Sequence, residues 1–385
     1  MTTSSDSTSD ARRYPRVEII EEGMREGMQI ESAEISIDAK LALLDALSAT
    51  GLSTIVVGSF VSPKWTPQMA HVDELVQRFT PRPGVTYTAL ALNQRGRERM
   101  RAYPQLSDPP ELPRTLVHLC DVFVRRNNNR TQAEEIAAWP RTIEAALDAG
   151  VTEATIAVNA AWGSNWLGPF SQGERMEMLE RQYELWSGAG VKVTRIWIGD
   201  PMAWNRPDQV AAQMRALRER WPEVTTIHLH LHDARGTALT SAYEALVNLG
   251  PECTLVLDSS VGGMGGCPYG GHGRMTRMIP TEDLVDLLNE LGVDTGIDLD
   301  ALIEAALLAE DVVGHSLWGH VSKAGPRPRG DRLFPMDLPF IETEREAQHF
   351  RLGPAAYVGA RSPWSAPIES PARAALDLAR DKGRR

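Results

Sequence analysis

The sequence predicts an α/β fold, a (β/α)8 TIM barrel over residues 15–310. Short β-rich apolar runs alternate with longer helical patterns, and the runs are apolar on both faces, as in a parallel sheet covered on both sides. No Gly-rich phosphate loop follows the first run, which argues against the alternative of a doubly wound open sheet. The candidate strands are VEII at 17–20, TIVVG at 54–58, VTYTAL at 85–90, TLVHLCDVF at 115–123, EATIAV at 153–158, VTRIWIG at 193–199, TTIHLHL at 225–231 and TLVLDSS at 254–260.

Helical patterns separate these runs, and two of them have recognisable ends. In 36–50, Ser36 is the candidate N-cap of an apolar stripe, and Gly51 is the candidate stop. In 281–291, Thr281 is the candidate cap, followed by acidic residues at the positive end of the helix and then by inward leucines. Both patterns predict helices that pack one face against the barrel.

The two ends of the chain differ from this pattern. Residues 1–14 have little apolar content to bury, so we expect a disordered N-terminal arm. Residues 311–385 contain a Pro- and Gly-rich stretch and a basic, helix-like end. We expect this C-terminal extension to cover the barrel mouth or a partner subunit.

The composition excludes several classes of function. The formal net charge is -11 and basic blocks are absent from the sequence, so binding to nucleic acid is not expected. Apolar runs of the roughly 18 residues that a membrane span needs are also absent. The start of the chain lacks the apolar segment of a signal peptide, and the three cysteines are sparse and widely spaced. Together these features predict reduced thiols and a cytoplasmic protein.

The stretch HLHLHDARG, which begins at His228, predicts a metal site. Side chains alternate along a strand, so the three histidines share one face, which points into the barrel. His230 and His232 could hold one cation together with Glu26, which follows the first strand and faces them across the mouth. Asp233 could fix an imidazole tautomer, and His228 lies deeper, as part of the core. The alternative is a set of buried histidines that are bonded only to neighbouring strands.

The loop after the eighth strand, SSVGGMGGCPYGGHGRM, is the second signal. Its glycines permit positive φ angles, close approach to a ligand and the movement of a lid. Cys267 at its centre is a candidate acid–base or nucleophilic group. The alternative is an inert small residue in a flexible linker, and the glycine spacing fits neither a Walker loop nor a dinucleotide fingerprint.

Four motifs together resemble one family. EGMREGMQ, SFVSPKWTPQMA, HLHDARGTAL and DSSVGGMGGCPYG…PTEDLV are similar to 3-hydroxy-3-methylglutaryl-CoA lyase and, more broadly, to the metal-dependent barrel lyases and synthases related to it. The motifs occur in order over about residues 15–310, and the second favours the lyases over the synthases. The resemblance implies a divalent cation and a retro-aldol cleavage of a 3-hydroxy-3-carboxymethyl acyl-CoA.

The resemblance also implies a role for individual residues. His230 and His232 would be metal ligands, and Arg25 would stabilise enolate or carbonyl charge. Cys267 would carry a proton on a mobile loop, and Asp200 would lie near the substrate hydroxyl. The resemblance further implies a group that binds the substrate: the amides of Asn127 and Asn129, and Arg125 and Arg126 as contacts to the CoA phosphates.

The chain departs from the family pattern around the metal. Where the family has Arg-Asp-Gly after the first strand, this chain has Arg-Glu-Gly, in which Glu26 supplies the carboxylate. A family glutamate in the second strand is replaced by Val56. The family's ligand asparagine in the cysteine loop aligns with Arg274, which has no lone pair for a cation. We expect either His272 or a water molecule to take the place of that ligand, and Arg274 to pair with an extra substrate carboxylate.

These observations predict a divalent-metal-dependent carbon–carbon lyase that acts on a small-molecule substrate, an acyl-CoA or a related tertiary hydroxy acid. Mixed nitrogen and oxygen ligands admit Mg, Mn, Co or Zn. The alternatives are a condensing enzyme that joins an acyl-CoA to a keto acid and a non-catalytic barrel that binds acyl-CoA. We expect a homodimer, from the family and from the C-terminal extension.

Overall fold

A computed structural model of the chain describes residues 13–91, 94–107, 112–270 and 277–333. Its strands in chain order are β1 Arg16–Glu21, β2 Thr54–Ser59, β3 Thr86–Leu90, β4 Arg114–His118, β5 Glu153–Asn159, β6 Gly163–Ser164, β7 Gly168–Pro169, β8 Lys192–Asp200, β9 Thr226–Leu231 and β10 Thr254–Ser259. Its α-helices are α1 Ile37–Ser48, α2 Val72–Arg78, α3 Gln94–Arg101, α4 Asp121–Asn128, α5 Gln132–Asp148, α6 Gln172–Gly188, α7 Pro207–Arg220, α8 Ala238–Asn248, α9 Thr281–Glu290, α10 Leu299–Val313 and α11 Val321–Ala324.

Eight of these strands form one parallel sheet in the order β3-β2-β1-β10-β9-β8-β5-β4. The sheet curls, so that its first and last members are strands that follow one another in the chain, and helices cover its outside. The predicted (β/α)8 barrel is therefore confirmed. Since all the strands are parallel, their carboxyl ends lie at one mouth, where a barrel places its reactive groups.

The fourth strand is shorter than the sequence predicts. The predicted run 115–123 is wrong in its second half, because the chain leaves the sheet after His118 and begins α4 at Asp121. The Cys120 thiol accepts a hydrogen bond from the Phe123 N–H at 3.3 Å and so caps that helix. A short antiparallel hairpin, β6 with β7, follows β5 and was not predicted.

Of the two predicted helix caps, one is confirmed and one is wrong. The Ser36 hydroxyl accepts from the Ala39 N–H at 3.2 Å and starts α1. Thr281 does not cap α9, because its hydroxyl donates instead to the buried carboxylate of Glu21. The side chain of Thr281 therefore ties the start of α9 to β1.

Helices hold the sheet by apolar packing and by a few hydrogen bonds to strand atoms. Leu43, Leu44 and Leu47 of α1 are fully buried, and each burial contributes about 1.5–3 kcal/mol. The indole N–H of Trp186 donates to the Thr115 hydroxyl at 2.9 Å, and that of Trp139 donates to the Leu116 carbonyl at 2.9 Å. These contacts fix α5 and α6 against β4.

One prediction on chain organisation stays open. The division into an arm, a barrel over 15–310 and an extension stays a prediction, because residues 1–12 and 334–385 lie outside the described residues. Within the described ranges, none of the helices has both the length and the apolar composition that crossing a bilayer requires.

Candidate active site

Three side chains with metal-binding atoms converge at the mouth of the barrel, and we call Glu26, His230 and His232 the donor cluster. Glu26 lies on the π-helical turn Gly23–Gly27 that follows β1. His230 lies in β9, and His232 lies just beyond its end. All three are buried, and one ligand atom of each lies within 4.8 Å of the others. The sequence prediction that these three side chains face one another is confirmed.

The distances inside the donor cluster are short. Glu26 Oε1 lies 3.0 Å from His232 Nε2, and Glu26 Oε2 lies 3.5 Å from His230 Nε2. The two Nε2 atoms are 3.1 Å apart. Burial alone raises the pKa of Glu26, but the guanidinium of Arg25 and the two imidazoles outweigh it and lower that pKa well below its usual value. Glu26 is therefore an anionic ligand at neutral pH.

Asp258 of β10 orients the first of the two imidazoles. Its Oδ2 accepts from His230 Nδ1 at 2.7 Å, and its Oδ1 accepts from His228 Nε2 at 2.7 Å. This bond fixes the proton of His230 on Nδ1, so the lone pair on Nε2 faces Glu26, as a metal ligand requires. The neighbouring imidazoles overcome the effect of burial and lower the pKa of Asp258.

The sequence analysis assigned this orienting role to Asp233, and that assignment is wrong. Asp233 accepts the Ala238 N–H at 2.7 Å at the start of α8 and lies beside Arg277. Asp258 was missed, although a lone aspartate in the apolar run TLVLDSS was a usable signal. His228 lies further from the mouth than His230, as predicted, but it is not part of the buried core, because its side chain is 12% exposed against 11% for His230. It is bonded to the same aspartate.

Arg25 lies against the donor cluster in a network of ion pairs. Its Nη1 donates to Glu26 Oε2 at 2.6 Å. Its Nε and Nη2 donate to the two carboxylate oxygens of Glu22 at 2.7 and 2.9 Å. The side chain is 15% exposed, so the guanidinium keeps an edge toward the mouth. The structure thus places the predicted Arg25 beside the donor cluster and adds Glu22, which was not predicted.

His232 is joined to the cysteine loop. The backbone N–H of Cys267 donates to His232 Nδ1 at 3.0 Å, so the ring proton of His232 lies on Nε2 in this arrangement. A cation on Nε2 would displace that proton. The single N–H proton of the neutral ring would then move to Nδ1, opposite the Cys267 N–H. Binding of a cation through His232 Nε2 therefore requires the loop to shift.

The thiol of Cys267 is buried in a small apolar cluster with Phe123, Ala160 and Met202. Burial, with a smaller contribution from the charge of Glu26, raises the pKa of this thiol to about 12, against the opposing effect of a backbone hydrogen bond from Tyr269. The side chain is 8% exposed. The group is thus a neutral thiol at physiological pH, suited to hold and donate a proton rather than to act as a resting thiolate.

Asp200 ends β8, next to the end of β9. Its Oδ2 accepts two hydrogen bonds from Asn205, at 2.6 and 2.7 Å, whereas its Oδ1 is buried and without a partner among the described residues. Burial raises the pKa of this carboxyl, although the bonds from Asn205 oppose the rise. An unpartnered acceptor at a strand end is an available proton acceptor.

The predicted substrate contacts on α4 lie apart from the donor cluster, and all four are exposed: Arg125, Arg126, Asn127 and Asn129. Arg125 pairs with Asp121 at 2.6 Å. Arg126 lies 5.6 Å from the ring centre of Trp166, and Trp166 packs on Tyr269 of the cysteine loop. The helix therefore reaches the active-site mouth through aromatic contacts. The other two predicted groups, His272 and Arg274, lie outside the described residues.

The residues of the donor cluster fit a divalent cation. One anionic carboxylate and one imidazole with its tautomer already fixed offer an oxygen and a nitrogen to a common point, and a second imidazole completes the set. Such a mixed set suits Mg, Mn, Co or Zn, and it does not distinguish among them.

A parallel (β/α)8 barrel with two imidazoles and a carboxylate at the ends of its strands defines a class of barrel enzyme built around a cation site. The model of the family described as HMGL-like matches residues 16–308. The mouse mitochondrial hydroxymethylglutaryl-CoA lyase is 33% identical over 302 residues, which cover 78% of this chain and 86% of the relative. The (R)-citramalyl-CoA lyase of Chloroflexus aurantiacus is 34% identical over 320 residues, which cover 80% and 95%.

The structural comparison agrees. An HMG-CoA lyase from Acinetobacter baumannii, solved with coenzyme A and 3-methylmalate, has a TM-score of 0.67 and 27% identity, and the match covers 86% of this chain and all of that one. The chain belongs to the HMGL-like family, and it is a carbon–carbon lyase. These relatives favour neither the condensing enzyme nor the non-catalytic barrel that the sequence left open.

Proposed function

We propose that the protein cleaves a carbon–carbon bond of a 3-hydroxy-3-carboxymethyl acyl-CoA, or of a related tertiary hydroxy acid, with the help of a divalent cation. The convergence of Glu26, His230 and His232 on one point is the observation that carries this proposal. The named activities of the relatives, on hydroxymethylglutaryl-CoA and (R)-citramalyl-CoA, supply the substrate class.

The donor cluster would hold the cation, and the bound cation would supply Lewis acidity to the substrate's hydroxyl and carbonyl oxygens. Asp200 has an open acceptor, Oδ1, and a raised pKa, so it takes the proton of the substrate hydroxyl. The hydroxyl carbon then becomes a ketone, which leaves as one product, as the carbon–carbon bond breaks. The electron pair of that bond passes to the thioester, which becomes an enolate.

Arg25 and Cys267 complete the reaction. The guanidinium of Arg25 is fixed in place before the reaction by Glu22 and Glu26, and it stabilises the enolate oxygen. Cys267 donates its proton to the enolate carbon, which releases the acyl-CoA product. The raised pKa of this thiol keeps the proton available at neutral pH.

The binding of CoA is assigned to α4. Arg125 and Arg126 would contact the phosphates, with Asn127 and Asn129 as polar neighbours. This assignment is supported by the exposure of the helix and by the contact of Arg126 with Trp166 at the mouth. Arg274 is proposed to pair with a substrate carboxylate and His272 to serve as a further ligand. A cytoplasmic homodimer is proposed from the three free cysteines and from the family, and light scattering tests the dimer.

The direct test uses purified protein loaded in turn with Mg, Mn, Co and Zn. Each form is mixed with 3-hydroxy-3-methylglutaryl-CoA or (R)-citramalyl-CoA, and the acetyl-CoA released is measured. We expect cleavage of at least one substrate, with about one cation per chain, and loss of activity on chelation. The proposal is wrong if the protein binds none of these cations, or if a chelator leaves turnover unchanged.

A further inference from the structure

The strongest ion pair at the mouth involves a residue without an assigned role. Glu22 holds Arg25 by both carboxylate oxygens, at 2.7 and 2.9 Å, while the guanidinium reaches Glu26 with its remaining nitrogen at 2.6 Å. Bidentate pairs of this kind fix orientation as well as charge. The geometry of Arg25 is therefore set from two sides, and only one side belongs to the donor cluster.

The sheet register, continued one residue beyond β1, brings Glu22 to the level of Val56. Strand β1 pairs with β2 through Ile20 with Thr54 and Glu21 with Ile55, and Glu22 and Val56 are the residues that follow. The Glu22 N–H continues the ladder on the other side of β1, where it donates to the Ser259 carbonyl at 2.8 Å. Residues opposite one another in parallel strands point to the same face.

That face is the inside of the barrel. Glu22 and Val56 are 5% and 7% exposed, whereas their neighbours Glu21 and Ile55 have no exposure. Ile20, two residues before Glu22, pairs with Asp258, which points inward to His228 and His230. Alternation continued from β1 into the next residue turns Glu22 inward as well, and its bonds to Arg25 at the mouth agree with that direction.

We infer that Glu22 is a positioning residue that fixes Arg25 beside the donor cluster, and that it supplies from β1 the inward carboxylate that the lyase pattern carries on β2, where this chain has Val56. The polar group is then not lost from the site but moved by one strand. This inference rests on the proposed function only where kcat and KM are measured.

A merely structural role predicts a different outcome. If Glu22 only neutralised a buried arginine, its removal would lower stability and leave the surviving folded enzyme unchanged. As a positioning residue, its removal leaves Arg25 with Glu26 as its near partner, and the guanidinium then competes with a cation for that carboxylate. Metal affinity and kcat therefore fall, whereas a structural role moves neither in the folded protein.

The experiment compares Glu22→Val, Val56→Glu and the double variant Glu22→Val/Val56→Glu in the full chain. Mn²⁺ affinity is measured by titration with detection of free ion by paramagnetic resonance, and kcat and KM are measured with the substrate that the wild type cleaves. For Glu22→Val we expect about a 10-fold loss of Mn²⁺ affinity and about a 100-fold loss of kcat, the latter typical of a reacting group displaced by about 1 Å. The double variant should regain most of both.

Controls keep the outcomes separate. Glu18→Val, on the same strand and partly exposed, should leave both quantities unchanged. If Glu22→Val does not fold, Glu22→Gln keeps the volume and part of the bonding and takes its place. A crystal structure of the variant should show Arg25 turned from its present position, and this readout, like the Mn²⁺ titration, holds even if neither CoA ester is a substrate.

Three results would overturn the inference: wild-type Mn²⁺ affinity and kcat in Glu22→Val, an unmoved Arg25 in its crystal structure, or a folded double variant no better than the single one. Failure of the wild type to cleave any CoA ester or related tertiary hydroxy acid would instead contradict the proposed function.

Discussion

The donor cluster and α4 are both parts of the mouth, but they are built differently. In the donor cluster the side chains are buried, come from strand ends and meet within 4.8 Å. On α4 the predicted substrate contacts are exposed, and their partners are local, such as Asp121 and Trp166. Rigid sheet geometry positions the first group, whereas the second depends on long side chains at the surface.

This difference predicts that the donor cluster serves the chemical step and that α4 serves substrate binding. A buried, mutually bonded cluster loses its function when one member is removed, because the remaining groups stay buried without partners. An exposed arginine contributes less, since water and salt screen its charge. We therefore expect substitutions in the donor cluster to reduce activity much more than substitutions on α4.

The largest effect is expected for His230→Ala/His232→Ala. Two of the three donor atoms are lost, so the bound metal should fall from about one per chain to near zero and turnover should fall by about 10⁴-fold or more. Elemental analysis and the acetyl-CoA assay measure these quantities. His71→Ala, at the start of α2 and outside the donor cluster, is the control. Retained stoichiometric metal in the double variant would contradict the assignment.

A smaller effect is expected for Asp258→Asn. The amide no longer offers His230 a charged acceptor, and changes to such supporting groups typically cost about 10–100-fold in metal affinity. His228→Gln, which can still donate to Asp258, should change the affinity by less than about 3-fold. Calorimetric titration with Mn²⁺ tests both variants, and equal effects would show that Asp258 does not act through His230.

A change on α4 should affect binding alone. For Arg126→Ala we expect KM for the acyl-CoA to rise by about 3–10-fold with kcat unchanged, and the difference from wild type to shrink at high salt. Arg130→Ala, exposed just beyond the same helix, is the matched control. A fall in kcat without a change in KM would place Arg126 in the chemistry and not in binding.

The smallest effect concerns the buried acids that support the mouth. Burial raises the pKa of Glu21 to about 7 and that of Glu282 to about 8, so the folded state holds these protons more tightly than the unfolded chain. Their stabilisation is therefore fully present below the ordinary glutamate pKa of 4.5, and it is lost as the pH rises from there through about 7 to 8.

Urea unfolding at several pH values tests this linkage. The free energy of unfolding of the wild type should fall between about pH 4.5 and pH 8. Glu282→Gln, which cannot ionise, should reduce that fall by about 1 kcal/mol per pH unit. Glu304→Gln on the exposed side of α10 should have the wild-type slope. Equal slopes for Glu282→Gln and the wild type would contradict the raised pKa.

The sequence predicted the parts of the site that strand alternation determines. His230 and His232 are two residues apart on one strand, and period two alone places them on one face. Asp258 and Glu22 were missed because their roles depend on which strands are neighbours and in what register, which a single sequence does not specify. Asp233 was misassigned because closeness in the chain to His232 was taken for closeness in space. Thr281 was misassigned because its hydroxyl donates to Glu21 instead of capping α9.

The pairing of Glu22 with Val56 has a consequence for how such a site changes over generations. A comparison made position by position would treat Glu22 and Val56 separately, whereas the proposed role joins them across a strand boundary. A chain with both carboxylates would keep Arg25 paired on that side, whereas a chain with neither would leave this largely buried guanidinium with Glu26 alone. The two positions are therefore best interpreted together when related barrels are compared.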